Sequence, residues 1–433
     1  MNRILLLLTA LLLGQIALAQ NPFRGDVLEY TSAGGKKVRK IYGNVVFEQP
    51  DKVLTADTAL EYIGENILKF VGRVKLVQKP EGSTIEGDTL YFDKASKFAR
   101  IVGNVKLTDN NTVVTTSVMN YNTATGLAYY TVGGTINDGK NVLTSQYGEY
   151  NKDKRTLYFT KNLKLKGDDG SLDTDTLRYF TQSKVARFYG ATTIVNKDGT
   201  VKSTSGEYNT ETKAVKFFKR SAVDNPDYYL EGDLVDFVRG ANNGYAKGNV
   251  LIISKKDSIT IEGDEARFDD VKGTSMVWGR AVAKLLIQRD SLFITADTLL
   301  TLNNRIDTAR MLKAFHGVKV FKSDLQAIAD SLVYKATDSS IYFFKDPVLW
   351  NAAQQITGDT VRVQLANKKL DKVYVLNNAF LVQQDTIKNF NQIKGRDVTA
   401  YFRKGKINQI DVNGNAQNIY FALEKDTLLQ GMN

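Results

Sequence analysis

The chain has 433 residues but no cysteine, five prolines, one histidine and two tryptophans. Without cysteine there is no disulfide, no thiol nucleophile and no lipid-attachment thiol. With one histidine, a zinc site or a Ser-His-Asp arrangement would hang on His316 alone, and neither HExxH nor GxSxG occurs. No glycine-rich phosphate loop is present either. His316, beside Gly317, reads as an ordinary strand-start residue. So few prolines, and no low-complexity linker, leave no boundary between independent domains. Beyond the N-terminal leader, no stretch with helical periodicity exceeds a few residues.

The leader is residues 1–19. Arg3 supplies a positive start, Ile4 to Leu13 is nearly all apolar, and Ala17-Leu18-Ala19 has the small-x-small form of a cleavage site. The apolar run is too short for a stable bilayer anchor. It reads as a cleavable signal peptide and places the mature protein in a periplasm. The formal net charge is +11, spread in short clusters such as Lys36-Lys37, Lys255-Lys256 and Lys368-Lys369. The plain reading is a solvated surface. The sharper one is a preference for an acidic ligand such as a phosphorylated lipid. Export argues against nucleic acid.

What is present is a repeat. Phe92, Tyr121, Tyr150, Tyr179, Tyr208 and Phe237 follow one another at steps of 29 residues. A fixed period of this size marks a stacked architecture in which no unit buries its apolar face alone. Each unit has two halves. The first is a glycine with alternating apolar residues, as in Gly72-Arg73-Val74-Lys75-Leu76 and Gly103-Asn104-Val105-Lys106-Leu107. Alternation of period two is strand language, and a glycine inside a strand marks a bend. The second half runs apolar, any, small, Asp, any, apolar, any, aromatic, as in Ile85 to Phe92 and Leu172 to Tyr179. The apolar positions change parity at the Asp. A flat strand would send the two sets to opposite faces, so a kink or bulge is expected there, with the small residue leaving room for it. Polar turns rich in Asn, Asp and Gly recur between the halves, which is hairpin chemistry.

The fold expected is all-β: an elongated repeat β-jellyroll, a folded antiparallel meander shaped like a trough, of about twelve units of 29–33 residues. The divisions are a signal peptide over 1–19, a lead-in over 20–37, the tandem trough over 38–413 and an incomplete final repeat over 414–433. Unpaired edges are expected near Val38 to Phe47 and near Ile407 to Phe421, where a partner strand could add.

These motifs together resemble the OstA/LptA-type organic-solvent-tolerance and lipopolysaccharide-transport proteins. The matching pieces are GNVVF with LTADTALEY, GRVKLV with IEGDTLYF, GNVKL, and GNVLII with IEGDEARF, within Val38 to Gly414. The resemblance implies a periplasmic trough that carries the lipid A part of lipopolysaccharide from the inner to the outer membrane, in outer-membrane biogenesis. It also implies end-to-end joining with other β-jellyroll transport components or with copies of itself. This chain has many more units than the compact periplasmic members and shows no membrane-barrel segment.

On that reading the inward residues Val74, Leu76, Leu90, Phe92, Val105, Leu107, Tyr121, Tyr150, Leu177, Tyr179, Tyr208, Phe237, Val250 and Ile252 meet lipid. Plain core packing is the other reading of the same ladder. Asp57, Asp88, Asp175, Asp233 and Asp264 are assigned to the kink, accepting hydrogen bonds from backbone N–H groups that the bulge frees. Asp297, Asp330, Asp359 and Asp397 continue the series. Ser117, Gln146 and Thr204 stand at equivalent places and could not replace a catalytic carboxylate or a metal ligand. No enzyme activity, cofactor or metal is expected. The alternatives to a lipid conduit are a structural or adhesive cell-envelope protein without cargo and a carbohydrate-active β-solenoid enzyme. Evenly spaced Asp residues argue against the single carboxylate cluster that the enzyme needs.

Overall fold

The computed structural model describes residues 23–79, 82–168, 170–238, 243–256, 259–269, 271–287, 290–303, 310–351, 354–366, 369–403, 406–424 and 428–433. The leader over 1–19 lies outside them. The described residues form strands and turns with no helix, so the all-β expectation holds. The chain divides into two compact units, Met1–Lys219 and Arg220–Asn433.

The first unit is an antiparallel meander. Lys36–Gln49, Lys52–Tyr62, Ile67–Gln78, Thr84–Asp93, Phe98–Asp109 and Thr112–Asn122 follow one another, each paired with the next. The connections are as their composition requires. Asp93 Oδ1 accepts from the N–H groups of Ala95 and Ser96, and Asn122 and Asn209 close their turns in the same way. Such Asx turns are the reason these residue types punctuate the repeat.

Every long strand is creased at its middle. In Ile67–Gln78, Leu68 and Phe70 point inward, and so do Val74 and Leu76. Between them Gly72 and Arg73 take φ of 78° and 40° and drop out of register with the neighbours. The following strand, Thr84–Asp93, buries Ile85 and Gly87, exposes Asp88, then buries Leu90 and Phe92. The parity change expected at the Asp is therefore real. The bulge turns the strand so that both inward sets face one interior. The strand halves sort into two walls. Post-glycine halves pair with pre-Asp halves, as Val74–Val77 with Thr84–Gly87, and pre-glycine halves pair with post-Asp halves, as Ile67–Val71 with Thr89–Asp93.

The small residue before the Asp has a role different from the expected one. A Cβ on Gly87 would lie 2.5 Å from Ile101 Cγ2, and one on Gly263 would lie 2.4 Å from Val277 Cγ1. The space admits an apolar side chain from the other wall, which closes the angle between them.

The second unit repeats the plan in Asn243–Ser254, Ile259–Asp269, Thr274–Ile287, Asp290–Asn303, Arg310–Lys322 and Leu325–Lys335. Later strands are cut at the crease into two short ones, such as Lys369–Leu376 and Ala379–Gln384.

Two expectations change. Val38 to Phe47 is not an unpaired edge, because Val27–Ala33 and Phe23–Arg24 add to its outer side. The lead-in over 20–37 thus carries strands of its own, and the edge is moved to Val27–Ala33. At the other end, Lys406–Asn413 pairs with Asp397–Arg403, and Gln417–Ile419 with Phe390–Gly395. Phe421–Glu424 and Leu428–Met432 form a separate hairpin.

The crease predicts a mutational cost. A Cβ at Gly103, where φ is 81°, would lie 2.1 Å from Asp88 Oδ2. Gly103→Ala is expected to lose about 1–3 kcal/mol in denaturant unfolding, as a left-handed position held by its surroundings should. The same change at Gly64, which has open space around it, should cost less.

Candidate functional site

The candidate site is the interior between the walls, and its character differs between the units. In the first unit it is filled by rings: Phe47, Phe70, Phe92, Tyr121, Tyr130, Tyr150, Phe159, Tyr179, Phe188 and Phe217 are all buried. Large rings fill space that aliphatic chains leave open. Tyr130 shows how tightly. Its ring lies against Gly134 and Gly148, where an added Cβ would stand 2.6 and 2.4 Å away. Its hydroxyl shares a 2.7 Å hydrogen bond with Ser145 Oγ across the crease. Burial pushes the Tyr130 phenol up to about 12. The crevice beside it, lined by Val114, Met119, Ile136, Tyr150 and Phe159, holds about 10 Å³, at the lower limit for one water.

In the second unit the interior is mostly aliphatic and often small. Ala246, Ala266, Ala281, Ala283 and Ala314 are buried among Val277, Ile294, Leu299 and Leu332. There a cavity of about 210 Å³ opens. Its apolar wall is Ile252, Ile261, Phe268, Leu302, Leu312 and Tyr334, drawn from both walls. Its mouth carries Asn225, Asp227, Lys256, Thr301 and Arg310. These residues belong to hairpin ends, so the cavity lies on the side of the unit opposite the crease. Lys256 Nζ sits 2.5 Å from Asp227 Oδ1 at the ends of two paired strands beside the mouth. Asn225 Oδ1 holds that turn by accepting from the N–H groups of Asp227 and Tyr228.

Of the residues assigned to the inner face, Val74, Leu76, Leu90, Phe92, Val105, Leu107, Tyr121, Tyr150, Leu177, Tyr179, Val250 and Ile252 are buried, while Tyr208 and Phe237 are half-buried. Ile252 alone of them lines the cavity. Leu302, Arg310, Leu312 and Tyr334 were not among the residues picked out, because the aromatic period that marks the inner face ends before them.

The aspartates stand on the outside of the crease, opposite the bulged pair. Their donors are mostly not freed backbone N–H groups, as expected, but the side chain that follows the glycine. Asn104 Nδ2 donates to Asp88 at 3.0 Å and Asn249 Nδ2 to Asp233 at 2.8 Å. Arg73 Nε donates to Asp57 at 2.7 Å and Arg280 Nε to Asp264 at 3.0 Å. Where Ala191 follows Gly190 there is no side-chain donor, and Asp175 accepts from the Ala191 N–H at 3.2 Å. Exposed pairs of this kind contribute roughly 0–1 kcal/mol each. Gln146, in an equivalent position, donates from Nε2 to the Thr131 carbonyl.

His316 is not at a strand start. It lies within Arg310–Lys322 at the bulge, with φ of 63°, and its Nδ1 is 3.5 Å from Asp330 Oδ1. Among the described residues, no group of three or more His, Asp or Glu side chains is placed to hold a metal ion.

Two apolar walls creased along an asparagine–aspartate seam define a β-jellyroll of the trough type. Residues 23–175 and 161–233 match the sequence model of the family described as OstA-like protein. This stretch is similar to that family, in keeping with the resemblance carried by GNVVF, LTADTALEY, GRVKLV and IEGDTLYF. Among solved structures, one match is to LptH of Pseudomonas aeruginosa, described as the LptA-homologous periplasmic component of the lipopolysaccharide transport device. It is 19% identical, the match covers 23% of this chain and 74% of that one, and the TM-score is 0.21. No curated protein matches this chain.

Acid should expose the crease. Hydrogen bonds from Ser331 and then from Lys345 hold the Asp330 carboxyl down at about 2, against an ordinary 3.8. A depressed carboxylate stabilises the fold above its unfolded value and loses that contribution as pH falls through the folded one. Asp330→Asn is therefore expected to lower the thermal midpoint at pH 7. The difference from the parent protein should shrink between pH 4 and pH 2, as thermal unfolding across that range would report.

Proposed function

We propose that this protein is a periplasmic lipid-binding conduit that carries lipopolysaccharide, by its lipid A part, between the inner and outer membranes, and catalyses no reaction. The observation that carries the reading is the apolar cavity of the second unit, open between hairpin ends with Lys256 and Arg310 at its mouth. Acyl chains would sit between the walls, driven by roughly 0.8 kcal/mol for each buried CH₂. Arg310, and Lys256 on exchanging Asp227 for a phosphate, would stand beside the phosphorylated sugar. OstA-like sequence over residues 23–233 and the leader read in the sequence support the same assignment.

Passage along the first unit requires its rings to turn aside, since Tyr130 and Phe159 fill the space that cargo would need. That packing favours a second reading, a structural β-repeat protein of the cell envelope without cargo. Partners are other β-jellyroll components or further copies of this chain. They would add at Val27–Ala33, which pairs on one side only among the described residues and leaves Leu28 and Tyr30 exposed.

The test is a photo-crosslinkable residue placed in cells at Tyr334, at Tyr121 and at the outward Lys313. Lipopolysaccharide should be captured at Tyr334 and Tyr121 and not at Lys313. A well-expressed protein that captures none at either inward site, and that purifies without bound lipid by mass spectrometry, is the cargo-free structural protein instead.

A further inference from the structure

The outer face of the second unit carries a feature that the interior does not use. Ile341, Phe343, Val361, Val363, Val373 and Val375 point inward and are buried. The residues alternating with them therefore point outward, and they are neither small nor mixed in charge. Tyr342, Arg362 and Tyr374 are directly opposite one another on three adjacent strands. The Arg362 guanidinium lies 5.5 Å from the Tyr342 ring centroid and 5.1 Å from that of Tyr374. Lys335 stands 4.9 Å from the Tyr342 ring, and Lys372 stands 5.2 Å from the ring of Tyr401. All are half-buried, so each shows part of its surface to solvent.

Cations outnumber carboxylates on this face, where Asp411, two strands beyond Tyr374, engages the Tyr401 phenol. Lys335, Arg362 and Lys372 form no salt bridge among the described residues, although ion pairs are common elsewhere on the same unit, as at Lys247–Glu265 and Arg280–Asp264. Arg362 donates to the neutral Gln364 Oε1 at 2.6 Å instead. Aromatic–cation contacts hold these side chains against one another, at roughly 0.5–1 kcal/mol each when exposed. They do not neutralise the charge. The result is a basic platform with rings about 10 Å apart, two strand spacings, and cations between them.

We propose that this face binds an acidic polysaccharide. Its sugar rings would lie on Tyr342 and Tyr374, and its carboxylate or phosphate groups would meet Arg362, Lys335 and Lys372. The Arg362 Nε is buried, so its Nη groups, one of them already donating to Gln364, would meet the carboxylate or phosphate oxygen. A strand face, unlike a pocket, suits a chain that runs across it. Rings and cations would also suit single-stranded nucleic acid. The exported chain read in the sequence favours the saccharide. This proposal is independent of lipid carriage, because the platform and the cavity use opposite faces of the wall.

The test is binding of the full mature protein to polygalacturonate, with neutral dextran and a single-stranded oligonucleotide as comparisons. Polygalacturonate should bind, weaken as salt rises, and lose about tenfold in affinity in Arg362→Gln and in Tyr374→Ala. Arg362→Lys, which keeps the charge, should retain part of it. Thermal midpoints check that the variants fold. The exposed, outward variant Lys106→Gln in the first unit serves as the folded control. Binding to neutral dextran alone, preferred binding of the oligonucleotide, or equal binding by folded Arg362→Gln and Tyr374→Ala would each overturn the proposal.

Discussion

Everything in this structure depends on a pair of residues held in the left-handed region at the middle of the glycine-bearing strands, opposite the Asp of the strands beside them. A strand that stayed regular would alternate its side chains between two faces along its whole length, and the repeat's apolar residues would be divided between inside and outside. Gly43-Asn44, Gly72-Arg73, Gly103-Asn104, Gly248-Asn249 and Gly279-Arg280 all have positive φ, which removes that conflict. Glycine is placed first because it bears this conformation without strain. The second residue bears it at some cost, and its side chain is returned to the opposing Asp as a hydrogen bond. The pairing Asp88–Asn104 or Asp57–Arg73 thus fastens the crease from outside while apolar burial closes it from within.

The walls so formed are packed in different ways by different residues. A ring at each step closes the first unit. In the second a cavity opens between Ile252, Ile261, Phe268, Leu302, Leu312 and Tyr334. One backbone plan thus holds both a filled core and an open groove. An unbroken repeat supports both the rigid packing around Tyr130 and the open mouth between Lys256 and Arg310.

Much of this was legible in the chain before any coordinates. The period of 29 residues, the glycine inside the strand and the parity change at the Asp together required a creased antiparallel fold. The OstA-like resemblance rested on the same residues and holds over 23–233. Legibility failed where the signal depends on neighbours distant in sequence. The donor to each Asp lies 16 residues on in the Asp88–Asn104 and Asp57–Arg73 pairs, and periodicity does not reveal which atom it contributes. His316 looked like a strand start because its neighbour is glycine, yet it occupies the first bulge position itself.

Strand type, crease and the inward-facing set follow from the order of residues, through local alternation and the φ values that glycine permits. Whether the interior is filled is settled only when the walls come together. That is set by the summed volumes of side chains brought together from both walls, as where Leu302 and Tyr334 meet Ile252 and Ile261. The same holds for the edge, which is Val27–Ala33 rather than the strand after it, since pairing is a relation between strands and not a property of either one. The outward row of Tyr342, Arg362 and Tyr374 is the same kind of fact: three residues unremarkable in their own strands become one surface only when register sets them side by side.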